Sequence, residues 1–364
     1  MSLTLMLSLL TALCDPAGGG AQGGAWTTAG DTAVVTMNAN DTIRQAAGSD
    51  VERGAGRRVW RVRQHMDSVL DRRDSQARHD TAYMARAPKG LRLRVSFNGS
   101  GSVFNVEGSN ASGDYTSTLE AQNKYTVSFS ASYRGVTAGL AVNPAKLAGK
   151  NKDYELNINA YGNRLGADVI FQSANTFSGS VTTDAGTVEM PTGLVRLNLL
   201  TVNAYYVFSG RRFSYPAAFS QSWMQKKSCG SWMLGTSVIA GNIRVSHSEA
   251  LGNPVQRLSL AYLGLGVGYA YNFVLRKGWL LHLSTLPELV VATRSRITID
   301  GERAKMPYRF PNAIVVGRIA AMKHFGRYFA GFNTVVNAFS IGDNELFRLG
   351  NVKWRARFFV GVRI

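Results

Sequence analysis

The chain has 364 residues, of which 45% are hydrophobic and 18% charged, with 38 Gly, 17 Phe, 14 Tyr and 9 Pro; this balance excludes a disordered tail and leans towards β structure. Its formal net charge is +18, yet the basic residues are dispersed and carry no finger, helix-turn-helix or aromatic nucleic-acid signature, so nucleic acid is not an expected partner. Cys14 and Cys229 are the only cysteines, and with the N-terminus removed one would remain, too few for a disulfide or a Cys-based metal site.

The run from Leu3 to Leu13 is apolar, too short to span a bilayer and followed by small residues. Residues 1–25 are therefore read as a signal peptide cleaved near Ala21 or Ala25, although no Lys or Arg precedes the run. Residues 26–88 are read as a flexible linker and a short amphipathic helix, in which Val59, Val62, Met66, Val69 and Leu70 recur at helical spacing. The Arg-rich face of that helix is expected to be solvated.

After Leu91 the period becomes two. Tyr125, Val127, Phe129, Ala131 and Tyr133 alternate with Thr126, Ser128, Ser130 and Ser132, as in a strand with one oily side. Tyr154 to Ala160 and Leu263 to Phe273 repeat the pattern. The segment from Leu258 to Leu275 is uncharged and long enough to cross a membrane as a helix, but Gly264, Gly266 and Gly268 line up on a strand and scatter round a helix. At the C-terminus Val352, Trp354, Ala356, Phe358, Val360, Val362 and Ile364 alternate with Lys353, Arg355, Arg357 and Arg363.

Short turns at Arg134–Gly135, Gly162–Asn163, Arg276–Gly278 and Phe325–Arg327 alternate with longer polar stretches, and about twelve strands fall between them. The expected fold is all-β, a transmembrane antiparallel up-and-down β-barrel over residues 89–364. A soluble β sandwich also alternates, but it rarely keeps oil on one face through so many hairpins. In a barrel the lipid face is apolar and the alternate face lines a polar lumen, so Arg196, Arg355, Arg357 and Arg363 are expected inside. Glu155, Asp168 and Glu288 share that inward parity and are expected partners for them, and His282 points inward as well.

The five histidines show no metal-ligand spacing, and no nucleophile elbow, phosphate loop or dinucleotide fingerprint occurs, so neither cofactor, metal nor enzymatic activity is expected. His282 and Ser284 lie two apart on one face. A catalytic pair is one reading; a hydrogen-bonded lumen histidine is the preferred one.

One stretch breaks the hairpin rhythm. Phe213, Ser214, Tyr215, Ala217, Ala218, Phe219, Gln221, Gln225, Lys226, Lys227, Ser228, Gly230 and Ser231 stand at the positions of F-S-Y-x-A-A-F-x-Q-x-x-x-Q-K-K-S-x-G-S. The segment resembles one shared by a family of uncharacterised Gram-negative outer-membrane proteins, a domain of unknown function. The stretch from His79 to Val95 is similar to the family's lead-in to its first strand. What the resemblance implies is an outer-membrane barrel of unassigned activity, with no catalytic residues. Read physically, the segment Tyr215 to Gln225 is expected to fold into or across the periplasmic mouth, with Gln221, Gln225, Lys226 and Lys227 hydrogen-bonded in the lumen. The other reading is a longer strand pair joined by a structured turn.

The expected location is the bacterial outer membrane, with its lipid and its assembly machinery as partners. Because eight strands leave an interior filled by side chains and sixteen leave a channel, about twelve should give a narrow or occluded pore. Two functions follow, with an outer-membrane hydrolase as a third and last reading. One is a channel or transporter for small anionic solutes; the other is a structural or adhesive barrel acting through its long loops, such as Ile297 to Pro311.

Overall fold

The structure is a computed structural model that describes residues 33–38, 79–88, 90–110, 113–133, 136–144, 153–246, 256–299, 301–306, 308–343 and 347–364. The signal peptide and the amphipathic helix read from the sequence lie outside the described residues. The strands are β1 (Ala33–Asn38), β2 (Met84–Arg86), β3 (Leu91–Asn110), β4 (Gly113–Ala121), β5 (Lys124–Tyr133), β6 (Val136–Val142), β7 (Tyr154–Tyr161), β8 (Leu165–Ala174), β9 (Phe177–Thr183) and β10 (Gly186–Met190). They continue with β11 (Val195–Val207), β12 (Trp223–Gln225), β13 (Cys229–Val245), β14 (Gln256–Val274), β15 (Trp279–Thr293), β16 (Arg296–Ile299), β17 (Glu302–Lys305), β18 (Ala313–Phe325), β19 (Tyr328–Asp343) and β20 (Phe347–Arg363). A short α-helix, α1 (Tyr215–Phe219), stands between β11 and β12, and a 3-10 turn at Arg276–Gly278 joins β14 to β15.

Neighbouring long strands pair antiparallel from β11 through β13, β14, β15, β18, β19 and β20. The last strand then pairs with β3 from Phe347↔Gly108 to Arg363↔Arg92, so the sheet returns on itself and leaves no edge there. Tight turns, the C-terminal Ile364 and Leu91 share one rim, where Leu91 and Ile364 exchange backbone hydrogen bonds of 3.0 and 2.8 Å. Short turns mark the periplasmic rim of such barrels. The linker reading missed one element: β1 stands in the wall, parallel to β6 and antiparallel to β7.

Several strands rise far beyond a bilayer. β3 has 20 residues, which at ~3.3 Å each and a tilt of about 40° gives a height of roughly 50 Å, about twice the apolar band of an outer-membrane barrel. β4 continues into β5, β8 into β9 and β10 into β11, so the taller wall is built from strands interrupted by two or four residues. Above the shorter β6 and β7, β4 and β9 pair directly.

The two halves are lined in opposite senses. On the lower half of β3, Leu91, Leu93, Val95 and Phe97 face outward while Arg92, Arg94, Ser96 and Ser100 are buried. On its upper half, Phe104 is buried and Glu107 is exposed. β11 repeats the exchange: Val195, Leu197 and Leu199 point inward near the top, and Asn203 is buried further down. The upper residues form one apolar cluster that also takes in Leu119, Phe177, Ile239, Leu260, Tyr262, Ile314 and Phe339. The lower half carries an outer belt of Trp232, Leu234, Leu265, Val267, Tyr269, Leu283, Ile319, Phe358 and Val360, each at least 41% exposed, which is surface that requires hydrocarbon. No helix among the described residues is long and apolar enough to cross a membrane; the strands cross it.

β14 is a strand, not a helix, and its glycines earn their place by proximity. A Cβ at Gly264 would sit 2.8 Å from Glu288 Oε2, so the missing side chain makes room for that carboxylate against the lumen wall.

Candidate functional site

The lumen is filled at three levels, beginning with a plug at the periplasmic mouth. The chain leaves β11 at Val207, turns through Phe208 to Arg212, enters the barrel as α1 and returns through β12 to start β13. Ser214 caps α1, its hydroxyl accepting from Ala217 N at 3.3 Å, and Pro216 supplies the fixed φ that suits a first turn. Trp223 to Gln225 pair antiparallel with Met84 to Arg86, so the lead-in segment and the motif fold together. Met84, Phe213, Tyr215, Ala217, Ala218, Phe219 and Trp223 are all at most 4% exposed, and they pack on Tyr205, Leu280, Leu286, Met322 and Phe359 of the wall.

One hydrogen-bonded chain that ties the plug to the wall has its polarity fixed by Gln225. The Gln225 amide nitrogen donates to the carbonyls of Tyr83 (3.1 Å), Arg212 (2.6 Å) and Lys227 (3.0 Å). Its oxygen therefore accepts, from Ser214 N at 3.0 Å and from Asn272 Nδ2 at 3.2 Å. The Asn272 oxygen then faces His282 Nδ1 at 2.8 Å, which requires the proton on Nδ1 and leaves Nε2 to accept from Ser284 Oγ at 3.1 Å. Ser284 Oγ in turn accepts from the Tyr215 hydroxyl at 2.7 Å, which closes the path back to α1.

The order Ser284, His282, Asn272 is that of a nucleophile, a base and an orienting group. In this arrangement the group is enclosed. All three are at most 3% exposed, Phe213, Tyr215 and Phe219 surround the imidazole at tilted or edge-on angles, and the Ser284 oxygen is already engaged by Tyr215. Incubating the folded protein with a fluorophosphonate probe is expected to leave Ser284 unlabelled by mass spectrometry, and labelling would reopen the hydrolase reading.

At mid-height, polar side chains reach across the barrel. Arg318 on β18 donates through Nη2 to Asp168 on β8, with both side chains at most 1% exposed. Lys353 on β20 meets Glu155 on β7 at 2.6 Å, and Lys124 lies 3.9 Å from the same carboxylate and 3.7 Å from Asp153. Asn203 on β11 donates to Asn337 on β19 at 2.8 Å. Above this lattice stands the apolar cluster.

Arginines line one wall of the lower lumen. On the paired inner faces of β3 and β20, Arg363 stands opposite Arg92, and Arg357 opposite Asn98. Arg92 donates to the carbonyls of Ser220 (3.2 Å) and Gln221, and Arg94 to Gln221 Oε1 at 3.4 Å. Arg357 donates to Asn98 Oδ1 (2.7 Å), Arg355 to Asn159 Oδ1 (3.1 Å), and Arg363 contacts His324 Nδ1 at 2.9 Å. Among the described residues none of these five guanidinium groups has a carboxylate within ion-pair distance, and Arg355 Nη1 and Arg363 Nε are buried with no hydrogen-bond partner.

The structure thus places Arg355, Arg357, Arg363, Glu155, Asp168, Glu288 and His282 on the inner face, but with different partners from those expected. The carboxylates Glu155 and Asp168 pair with Lys353, Lys124 and Arg318, and not with the C-terminal arginines. Arg196 is a correction: it is exposed on the outer face opposite Arg244, because it lies above the level where the faces exchange. Tyr215, Phe219, Gln221 and Gln225 are buried in the plug. Lys226 and Lys227 correct the expectation of lumen hydrogen bonds: both are exposed at the rim, Lys226 donating to the Thr81 carbonyl at 2.9 Å and Lys227 lying 5.6 Å from the Tyr83 ring centre. Arg92 and Arg94 were not singled out, although "LRLR" shows the same alternation as the C-terminal strand. Among the described residues no three His, Cys, Asp or Glu side chains are grouped to hold a metal.

A sheet closed from first strand to last, an outward apolar belt and a polar lumen define an integral β-barrel of the bacterial outer membrane. The chain matches the family described as Domain of unknown function (DUF4421) over residues 78–363, and it belongs to that family. No curated protein matches it. Among solved structures it is similar to the outer-membrane protease OmpT of Escherichia coli, at 8% identity and a TM-score of 0.38, over 77% of this chain and 98% of that one. The translocator domain of the autotransporter NalP from Neisseria meningitidis aligns at 14% identity and a TM-score of 0.33, over 86% and 98%. The toluene transporter TodX of P. putida aligns at 9% identity and a TM-score of 0.25, over 76% and 91%. At these identities and scores none of their activities passes to this chain.

Proposed function

We propose that the protein is a narrow conduit for small anionic solutes across the outer membrane, closed in this conformation by the Tyr215–Gln225 plug. The supporting observation is the arginine row on β3 and β20. Five guanidinium groups share one inner wall without a carboxylate among the described residues, and two of them carry buried N–H groups with no acceptor. Such a row is repulsive within itself and costly to bury. An anion offers what the wall lacks: negative charge and acceptor oxygens matched to planar donors.

The plug holds the row closed with neutral acceptors, since Arg92 and Arg94 are bonded to the backbone and amide of the chain just after α1. A solute that competes for these donors favours plug release. The test is reversal potential in planar bilayers under a KCl gradient, in a variant whose plug is loosened. Anion preference is expected, and the double substitution Arg355→Gln, Arg357→Gln should abolish most of it. A pore that is cation-selective with all five arginines present would overturn the reading.

A further inference from the structure

The apolar cluster in the outer half surrounds a cavity of about 110 Å³. Phe104, Leu119, Phe177 and Leu197 form its buried walls, with the Phe104 and Phe177 rings edge to face at 5.5 Å. Leu258 and Phe347, which are only partly buried, complete it. Every lining residue but Gln256 is apolar.

A space so lined cannot hold a well-bonded water, which needs two to four polar partners, and dry cavities of roughly 150 Å³ with such walls take up benzene. The cup also sits in the half whose outer surface is polar, Arg196 and Arg244 included, so its occupant arrives from the external medium and not from the bilayer. Below it the room runs out: a separate space of only about 20 Å³ lies there, where Gln172, Asn203 and Lys353 begin to interleave with Leu199, Ile239 and Ile314. An apolar guest the size of a ring fits the upper cavity and finds no room below it.

We infer that the outer half of the barrel is a binding site for a small neutral hydrocarbon group, a single ring or a short alkyl end, held among Phe104, Leu119, Phe177, Leu197 and Leu258. The site is independent of the arginine wall and stands or falls without it.

The test is a titration of the full chain in lipid nanodiscs, with labelled Leu and Val methyl groups, against benzene and 1-hexanol. Saturable shifts are expected at Leu119, Leu197, Leu258 and Leu349, while lipid-facing Leu265 and Leu283 show only the linear drift of partition into the bilayer. Leu258→Phe at the rim and Leu197→Phe in the wall should each weaken binding about tenfold or more, with folding checked by heat-modifiable gel mobility. Saturation by benzene alone identifies a ring, and by hexanol alone an alkyl end. Linear shifts throughout, or unchanged affinity in a folded Leu258→Phe protein, would overturn the inference.

Discussion

Arg318→Met is expected to destabilise the barrel by about 3–5 kcal/mol, seen as a lowered urea midpoint for unfolding from lipid vesicles. The cause lies in what remains. Asp168 is 1% exposed and its Oδ1 already has no partner, so losing Arg318 strands a buried carboxylate in the middle of the lumen. Arg318 also lies 5.2 Å and 5.9 Å from the ring centres of Tyr205 and Tyr215, and that contact is lost with the charge. Because the pair itself offsets desolvation only in part, the double variant Arg318→Met, Asp168→Leu should recover most of the loss. A single variant within 1 kcal/mol of the parent would mean that the pair is not dry.

Gln225→Leu is expected to convert a closed barrel into one that conducts. One amide serves five backbone or side-chain groups here, and the apolar replacement leaves the Ser214 N–H without its acceptor and the Asn272 amide with the Ser214 carbonyl alone, at 2.9 Å. An orphaned buried donor costs about 1–3 kcal/mol, enough to raise the population with the plug displaced by roughly fivefold to a hundredfold. Single-channel recording should show frequent openings where the parent shows few. A silent Gln225→Leu protein that folds and inserts would argue that α1 is a permanent part of the wall.

Much of the architecture was legible because a barrel strand must satisfy two solvents at once. The segment from Val352 to Ile364 carries its inside and outside in plain alternation, and Arg355, Arg357 and Arg363 do point inward. The plug was half legible: Gln221 and Gln225 sit in a stretch too polar to face lipid throughout, which left a plug and a longer strand pair equally open. Arg196 was misplaced because a period of two says which residues share a face but not which face is inner. Above the membrane the outer surface meets water, so the same alternation carries the reverse meaning, and Leu197 and Leu199 take the interior while Arg196 is turned out. Two features had no local trace. The Arg318–Asp168 contact joins residues 150 positions apart, and β1 joins the wall from a segment whose composition reads as linker.

The exchange of lining between the two halves fixes the depth at which the molecule floats. Sinking by one inner–outer pair along β3 would carry Asn105 and then Glu107 into hydrocarbon and push Leu91 out towards the periplasm; rising by as much would draw Arg276 and Arg327 of the periplasmic turns towards hydrocarbon and lift the upper end of the apolar belt into water. Both displacements are opposed, so the draught of this barrel is set by its own strands, and bilayers markedly thinner or thicker must deform to meet it.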